Sequence, residues 1–214
     1  MSTQETTKQL ISRLCNEHSE VKCLGCPYKR AVTMILIVFI YNAVMVLLDT
    51  MRGDMNQIMT STTFLFEISL SLLISITAFI AISLMMIPDM AGKKWFLTIP
   101  MTLLGVFLMW MGTSFFDQGH IQEHVFPNSG CFKDGILYAL LPIAIVIWKL
   151  KNGATTHSSW TIFLSIISVT FVGWISLRLV CQLDTPSHIF INHFLPFVAV
   201  GATTGLFARK YFSW

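Results

Sequence analysis

Five side chains in the second half of this 214-residue chain have the types and spacing for chemistry: Cys131, Arg178, Cys181, His188 and His193. Four of them fall in SLRLVCQLDTPSHIFINHF, residues 176–194, where one apolar run ends and the next begins. A cysteine acts as nucleophile, redox partner or metal ligand through its thiolate, and a neighbouring cation favours that form. Arg178 precedes Cys181 at i, i+3 spacing. That spacing shares a helical face, so the guanidinium is expected to lower the pKa of the thiol. The plainer alternative is an arginine that extends its head to water. His193 lies inside an apolar run. An imidazole there is costly unless it faces a polar neighbour, and coordination or proton sensing is the sharper role.

Two shorter motifs invite chemistry less strongly. CLGC, residues 23–26, holds Cys23 and Cys26 at the spacing of half a zinc site or a redox pair, with Cys15 and His18 nearby. Zinc needs two further ligands and the redox motif a βαβ setting, so a stiff linker is the plainer reading. HIQEH, residues 120–124, fits the H-x-x-E-H zinc-peptidase pattern. That pattern needs a helix and a third ligand, and a short solvated loop is the plainer reading here.

The elements that must position these groups are set by composition. With 54% hydrophobic and only 12% charged residues, the chain is too apolar for an ordinary soluble domain. It reads as all-α, a polytopic bundle of six transmembrane helices at about 31–50, 63–87, 96–116, 133–148, 160–180 and 189–208. A signal peptide does not explain the start, because Glu5, Lys8, Arg13, Glu17, Glu20 and Lys22 occupy the place of an apolar core.

Lysine and arginine mark cytoplasmic loops. Lys8, Arg13, Lys22, Lys29, Arg30, Lys93, Lys94, Lys149, Lys151, Arg209 and Lys210 fall on one side, whereas Arg52, Lys133 and Arg178 fall on the other. Both termini are therefore expected in the cytoplasm, with Cys131, Cys181 and His188 facing outward. An oxidising outer compartment permits a disulfide between Cys131 and Cys181 if their Cα atoms come within about 7 Å. Two buried thiols packed as small apolar residues remain the alternative.

The chain divides into a polar segment, residues 1–30, and a membrane domain, residues 31–214. In TTKQLISRLCNEHSEV, Leu10, Ile11 and Leu14 form a short apolar stripe at helical spacing. Such a stripe can lie on the inner leaflet or wait for a groove on a cytoplasmic protein. Glu67, inside the second span, is the one acidic residue deep in the bundle and is expected to pair with a neighbouring helix.

From GCFKDGILYALLPIAIVIWKLKNGA through LRLVCQLDTPSHIFINHFLPFVAVGATTGLFARKYFSW, the chain resembles the NrsF-type anti-sigma factors. The resemblance rests on Cys131, Leu140–Pro142, Gly153, the run at 177–181, Asp184, Pro186, His188, His193–Pro196 and Trp214. It implies an inner-membrane regulator, not an enzyme, whose cytoplasmic segment sequesters an extracytoplasmic-function sigma factor without touching nucleic acid itself. It also implies that Cys131 and Cys181 respond to a thiol-reactive metal or an oxidant. No cofactor is implied, and the oligomeric state is left open. CLGCP stands where a proline- and arginine-rich linker is expected, so no family role passes to Cys23 or Cys26.

Release of an inner partner by an outer signal needs a bundle with two arrangements, and Pro142, Gly173 and Pro196 are candidate points of flexibility. Two rival functions follow from the same residues. A membrane thiol oxidoreductase would need a second outer cysteine pair to relay electrons. A small transporter would be expected to show repeat symmetry and more ionisable groups at mid-membrane.

Overall fold

The structure is a computed structural model and describes residues 7, 9–12, 25–87, 95–117, 129–151, 158–185 and 188–212. Its elements are α1 (Pro27–Leu48), a short α2 (Met55–Ile58), α3 (Thr62–Met85), α4 (Trp95–Asp117), α5 (Ser129–Lys151) and α6 (Ser158–Val180). A π-helical turn, Ile189–Phe194, then runs directly into α7 (Leu195–Phe212). Five of these helices are long and apolar enough to cross a membrane, and a shorter apolar stretch, Ile189–Thr203, stands where the sixth span is expected.

Local chemistry explains the boundaries. Pro27 opens α1 at its first position, where the ring's fixed φ suits a helix and the missing N–H has no intrahelical acceptor to lose. α2 is an addition to the expected elements. Asp54 precedes it but makes no side-chain cap, because its carboxylate is engaged by Arg52.

Apolar residues fill the core, but they also cover the outside of the bundle, and polar side chains are buried within it. Leu36, Ile40, Leu47, Leu72, Leu73 and Met109 are exposed, whereas Asn42, Glu67, Ser71, Ser75, Ser168 and Ser176 are buried. In water that arrangement would be unfavourable. In hydrocarbon it is the stable one, because lipid solvates leucine and leaves polar groups to the interior, where Asn42, Glu67, Ser168 and Ser176 find partners and Ser71 and Ser75 do not. α3 and α6 share the largest interface and form the spine of the fold. Its ring packing extends to α4, with Phe107 edge-on to Phe171 at 4.8 Å and to Trp174 at 5.2 Å between centroids.

Two glycines bring α6 and α7 together reciprocally. A Cβ on Gly173 of α6 would overlap the Phe197 ring, and one on Gly201 of α7 would overlap Ile166. Gly173 therefore serves close packing, since the ring fills the space a side chain would need. Pro142 lies inside α5 without ending it.

Candidate functional site

Cys131, Cys181, His188 and His193 converge at the end of the bundle where α5 begins and α6 ends. Cys131 stands in the first turn of α5 and is partly exposed. Cys181 follows α6 directly, its N–H donating to the Leu177 carbonyl at 2.8 Å, so the helical path is held to the thiol itself. Both are free thiols, and their sulfurs lie 3.4 Å apart. His188 Nε2 lies 3.4 Å from Cys181 Sγ. The two imidazoles meet edge to face with centroids 5.3 Å apart. One donor atom from each of the four residues lies within 4.8 Å of the others.

The π turn makes this meeting possible. Residues five apart on an α-helix point about 140° away from each other. With i→i+5 pairing, such as the Leu195 N–H to the Phe190 carbonyl, residues five apart come to stack. His188 and His193 are such a pair, and α-helical spacing alone would have separated them.

His193 is fully buried, and neither ring nitrogen has a hydrogen-bond partner. Its ring lies edge-on to Trp174, 6.1 Å between centroids. Asn192 supports the other imidazole: its Nδ2 lies 3.1 Å from His188 Nδ1 and donates to the His188 carbonyl at 3.2 Å. The amide oxygen of Asn192 is buried and unpartnered.

Arg178 takes a different part from the one its spacing suggested. Its Nε donates to Glu67 Oε1 at 2.7 Å, Nη2 to Glu67 Oε2 at 3.1 Å, and Nη1 to Asp184 Oδ1. These carboxylates, rather than Cys181, engage the guanidinium. Glu67 also accepts from Trp174 Nε1 at 2.7 Å, so the expected pairing across helices is present and joins α3 to α6. Trp174 thus touches both the imidazole cluster and the ion pair.

The chain of charges continues outward. Arg52 donates through Nη2 to Asp184 Oδ2 at 2.8 Å and through Nε to Asp54 Oδ1 at 2.7 Å. Hydrogen bonds donated to Asp54 and then to Asp184 push the Arg52 guanidinium further above its usual range. The Arg52 guanidinium holds the Asp54 carboxyl below the usual carboxylate range. Burial pushes Asp184 up, but bonds from Arg52 and Arg178 outweigh it and the net direction is down. A cavity of about 350 Å³ opens beside this network, lined in part by Ser61, Phe64, Glu67, Trp110, Arg178 and Asp184.

The remaining candidates lie elsewhere. Leu10 and Ile11 are helical and exposed, and Leu14 falls outside the described residues. Cys26 is exposed just before α1, its thiol lowered by the backbone N–H groups of Lys29 and Tyr28, and Cys23 lies outside the described residues. His120, Glu123 and His124 also lie outside them. Sequence reasoning missed Arg52, Asp54, Trp174 and Asn192 as parts of the site. Arg52, an arginine in a short loop beside an aspartate, was the one readable signal.

No curated protein and no solved structure matches the chain. A family of proteins does match it, over residues 14–214, under the description negative regulator of sigma F. That match takes in the whole helical bundle together with both cysteines and both histidines of the cluster, and the chain belongs to the NrsF family.

Proposed function

We propose that this family member is a membrane-bound anti-sigma factor that holds an extracytoplasmic-function sigma factor through residues 1–30 and releases it when Cys131 and Cys181 are modified outside the cell. Negative regulation of a sigma factor comes with the family. The observation that carries the sensing role is the approach of the two sulfurs to 3.4 Å at the end of the bundle remote from the start of α1. The lysine and arginine distribution supports an outward orientation for that end and a cytoplasmic one for both termini. The protein sits in the inner membrane in this reading, and acts by binding rather than by catalysis.

Leu10, Ile11 and Leu14 are the proposed anchors for the sigma factor. Leu10 and Ile11 expose more than half of their surface, which suits a segment that docks into a partner's groove. Burying two leucines contributes about 3–6 kcal/mol before the ordering of the segment is subtracted.

The test joins both ends. With Leu10 and Leu14 both replaced by Asp, the sigma factor fails to co-purify and its regulon is transcribed without stress. Cys131→Ser, Cys181→Ser and the double variant share one defect in the response to cadmium or an oxidant, since removing either half removes the pair. Co-purification undiminished by the leucine substitutions, or a normal response in either single cysteine variant, would overturn this function.

A further inference from the structure

We propose that Cys131, Cys181, His188 and His193 form a closed tetrahedral site for one soft divalent cation of the zinc or cadmium class. The proposal deepens the sensing role above and rests on that role only for its effect on the sigma factor.

The donor geometry is the first support. Metal–sulfur bonds of about 2.3 Å and metal–nitrogen bonds of about 2.0–2.1 Å put the atoms of a tetrahedral S2N2 set roughly 3.3–3.8 Å apart. Here the sulfurs stand 3.4 Å apart, Cys181 Sγ and His188 Nε2 3.4 Å apart, and no pair in the set exceeds 4.8 Å. Side-chain rotations suffice to close the set around an ion.

The second support is independent of the distances. His193 is 0% exposed and both its nitrogens lack a partner, a costly state for an imidazole in the interior. A cation bound at one nitrogen gives that nitrogen a partner and removes part of that cost. The π turn also has a clear result here, since it presents His188 and His193 together. Such turns recur at functional sites.

Asn192 supplies the supporting contact that a ligating histidine needs. In the present rotamer its Nδ2 faces His188 Nδ1 while Oδ1 is unpartnered. Turning the amide over places that oxygen on Nδ1, holds the proton there and leaves the Nε2 lone pair facing Cys181, at the loss of the Nδ2 bond to the His188 carbonyl. A ligating imidazole is usually oriented by such an acceptor on its other nitrogen.

Charge balance selects the ion. One divalent cation displaces one proton from each thiol to solvent, and both imidazoles stay neutral. Two thiolates and one dication sum to zero, which suits a site at the edge of hydrocarbon, and nothing is oxidised. Thiolate and imidazole favour zinc or cadmium over magnesium or calcium, which take oxygen ligands. Four protein ligands leave no open position, so the site holds an ion rather than activating water. Cys131, partly exposed, is the side from which an ion enters.

The experiment uses the full chain in lipid nanodiscs under reducing conditions, with Cys15, Cys23 and Cys26 replaced by Ser so that only the paired thiols remain. Cadmium is titrated and read by its thiolate charge-transfer band, and cobalt by the visible bands of a tetrahedral ion. One ion binds per chain. Cys131→Ser, Cys181→Ser, His188→Ala and His193→Ala each weaken binding about 100-fold or more, and Asn192→Leu weakens it about 10- to 100-fold. His193→Cys restores tetrahedral binding, which separates ligation from a fault in folding. Absence of a stoichiometric ion, or affinity unchanged in both histidine variants, overturns the site. Co-purification of the sigma factor is measured in parallel. Its retention with the ion fully bound overturns the sensing role and leaves the site standing. Its release by an oxidant from a chain that binds no ion does the reverse.

Discussion

Glu67 is the residue on which the interior charge depends. It accepts two bonds from Arg178 and one from Trp174, and its side chain is 4% exposed against 6% for Arg178. Removing one member of a buried pair leaves the other charge stranded, at about 3–5 kcal/mol. Arg178→Ala, which leaves the Glu67 carboxylate only the Trp174 N–H, is therefore expected to lower stability by about that amount in denaturant titrations in mixed micelles, and Glu67→Ala by less, because Arg178 keeps Asp184. The double change Glu67→Leu with Arg178→Leu is expected to lower it by less than Arg178→Ala alone. A larger loss in the double variant would mean that the stranded Glu67 charge is not the source of the cost. The pairing of Glu67 was legible in the sequence, because an acid inside an apolar span needs a partner. The diversion of Arg178 away from Cys181 was not, since i, i+3 spacing reports a shared face and says nothing about carboxylates arriving from α3 and from the loop after α6.

At the scale of elements, the long apolar runs announced five of the six expected spans closely, and Pro27 set the start of α1. The π turn was not legible. The α-helical period assigns His188 and His193 to different faces, and only the packing of residues 189–194 against α5 and α6 shows otherwise. The close contact of α6 with α7 was hidden for a similar reason, since a glycine in an apolar run marks flexibility and tight approach alike. The structure assigns Gly173 to tight approach, and that assignment can be measured. Gly173→Ala forces the Phe197 ring aside and is expected to cost about 1–3 kcal/mol. Adding Phe197→Leu, which vacates the contested volume, is expected to recover much of the loss in the same unfolding titration. No recovery would place the cause in the helix backbone.

For the whole molecule, α1 is the member that joins both ends, since residues 1–30 lead into it and its far end reaches the ion-pair network. Ser176 donates to Asn42 at 3.0 Å, Tyr41 to the Leu137 carbonyl at 2.7 Å, and the Arg52 N–H to the Leu179 carbonyl at 3.2 Å. In the proposed function, a signal that moves the end of α6 would reach α1 through Arg52 in the loop that follows it. Moving sigma occupancy from mostly bound to mostly free takes about 5 kcal/mol of preference between two arrangements. If the proposed function holds, Arg52→Leu is expected to uncouple the ends, so that the sigma factor stays bound after Cys131 and Cys181 are modified while cadmium binding at the cluster is unchanged. Release at the wild-type level would exclude Arg52 as the relay. The same arginine also imposes an order in time. Its partner Asp184 lies 132 residues further along the chain. At about 5–20 residues per second, that carboxylate is synthesised on the order of 10 s later. Asp54, two positions away, is already present to hold the guanidinium. The first loop thus emerges with a provisional partner, and its final attachment waits until nearly the whole chain has been made.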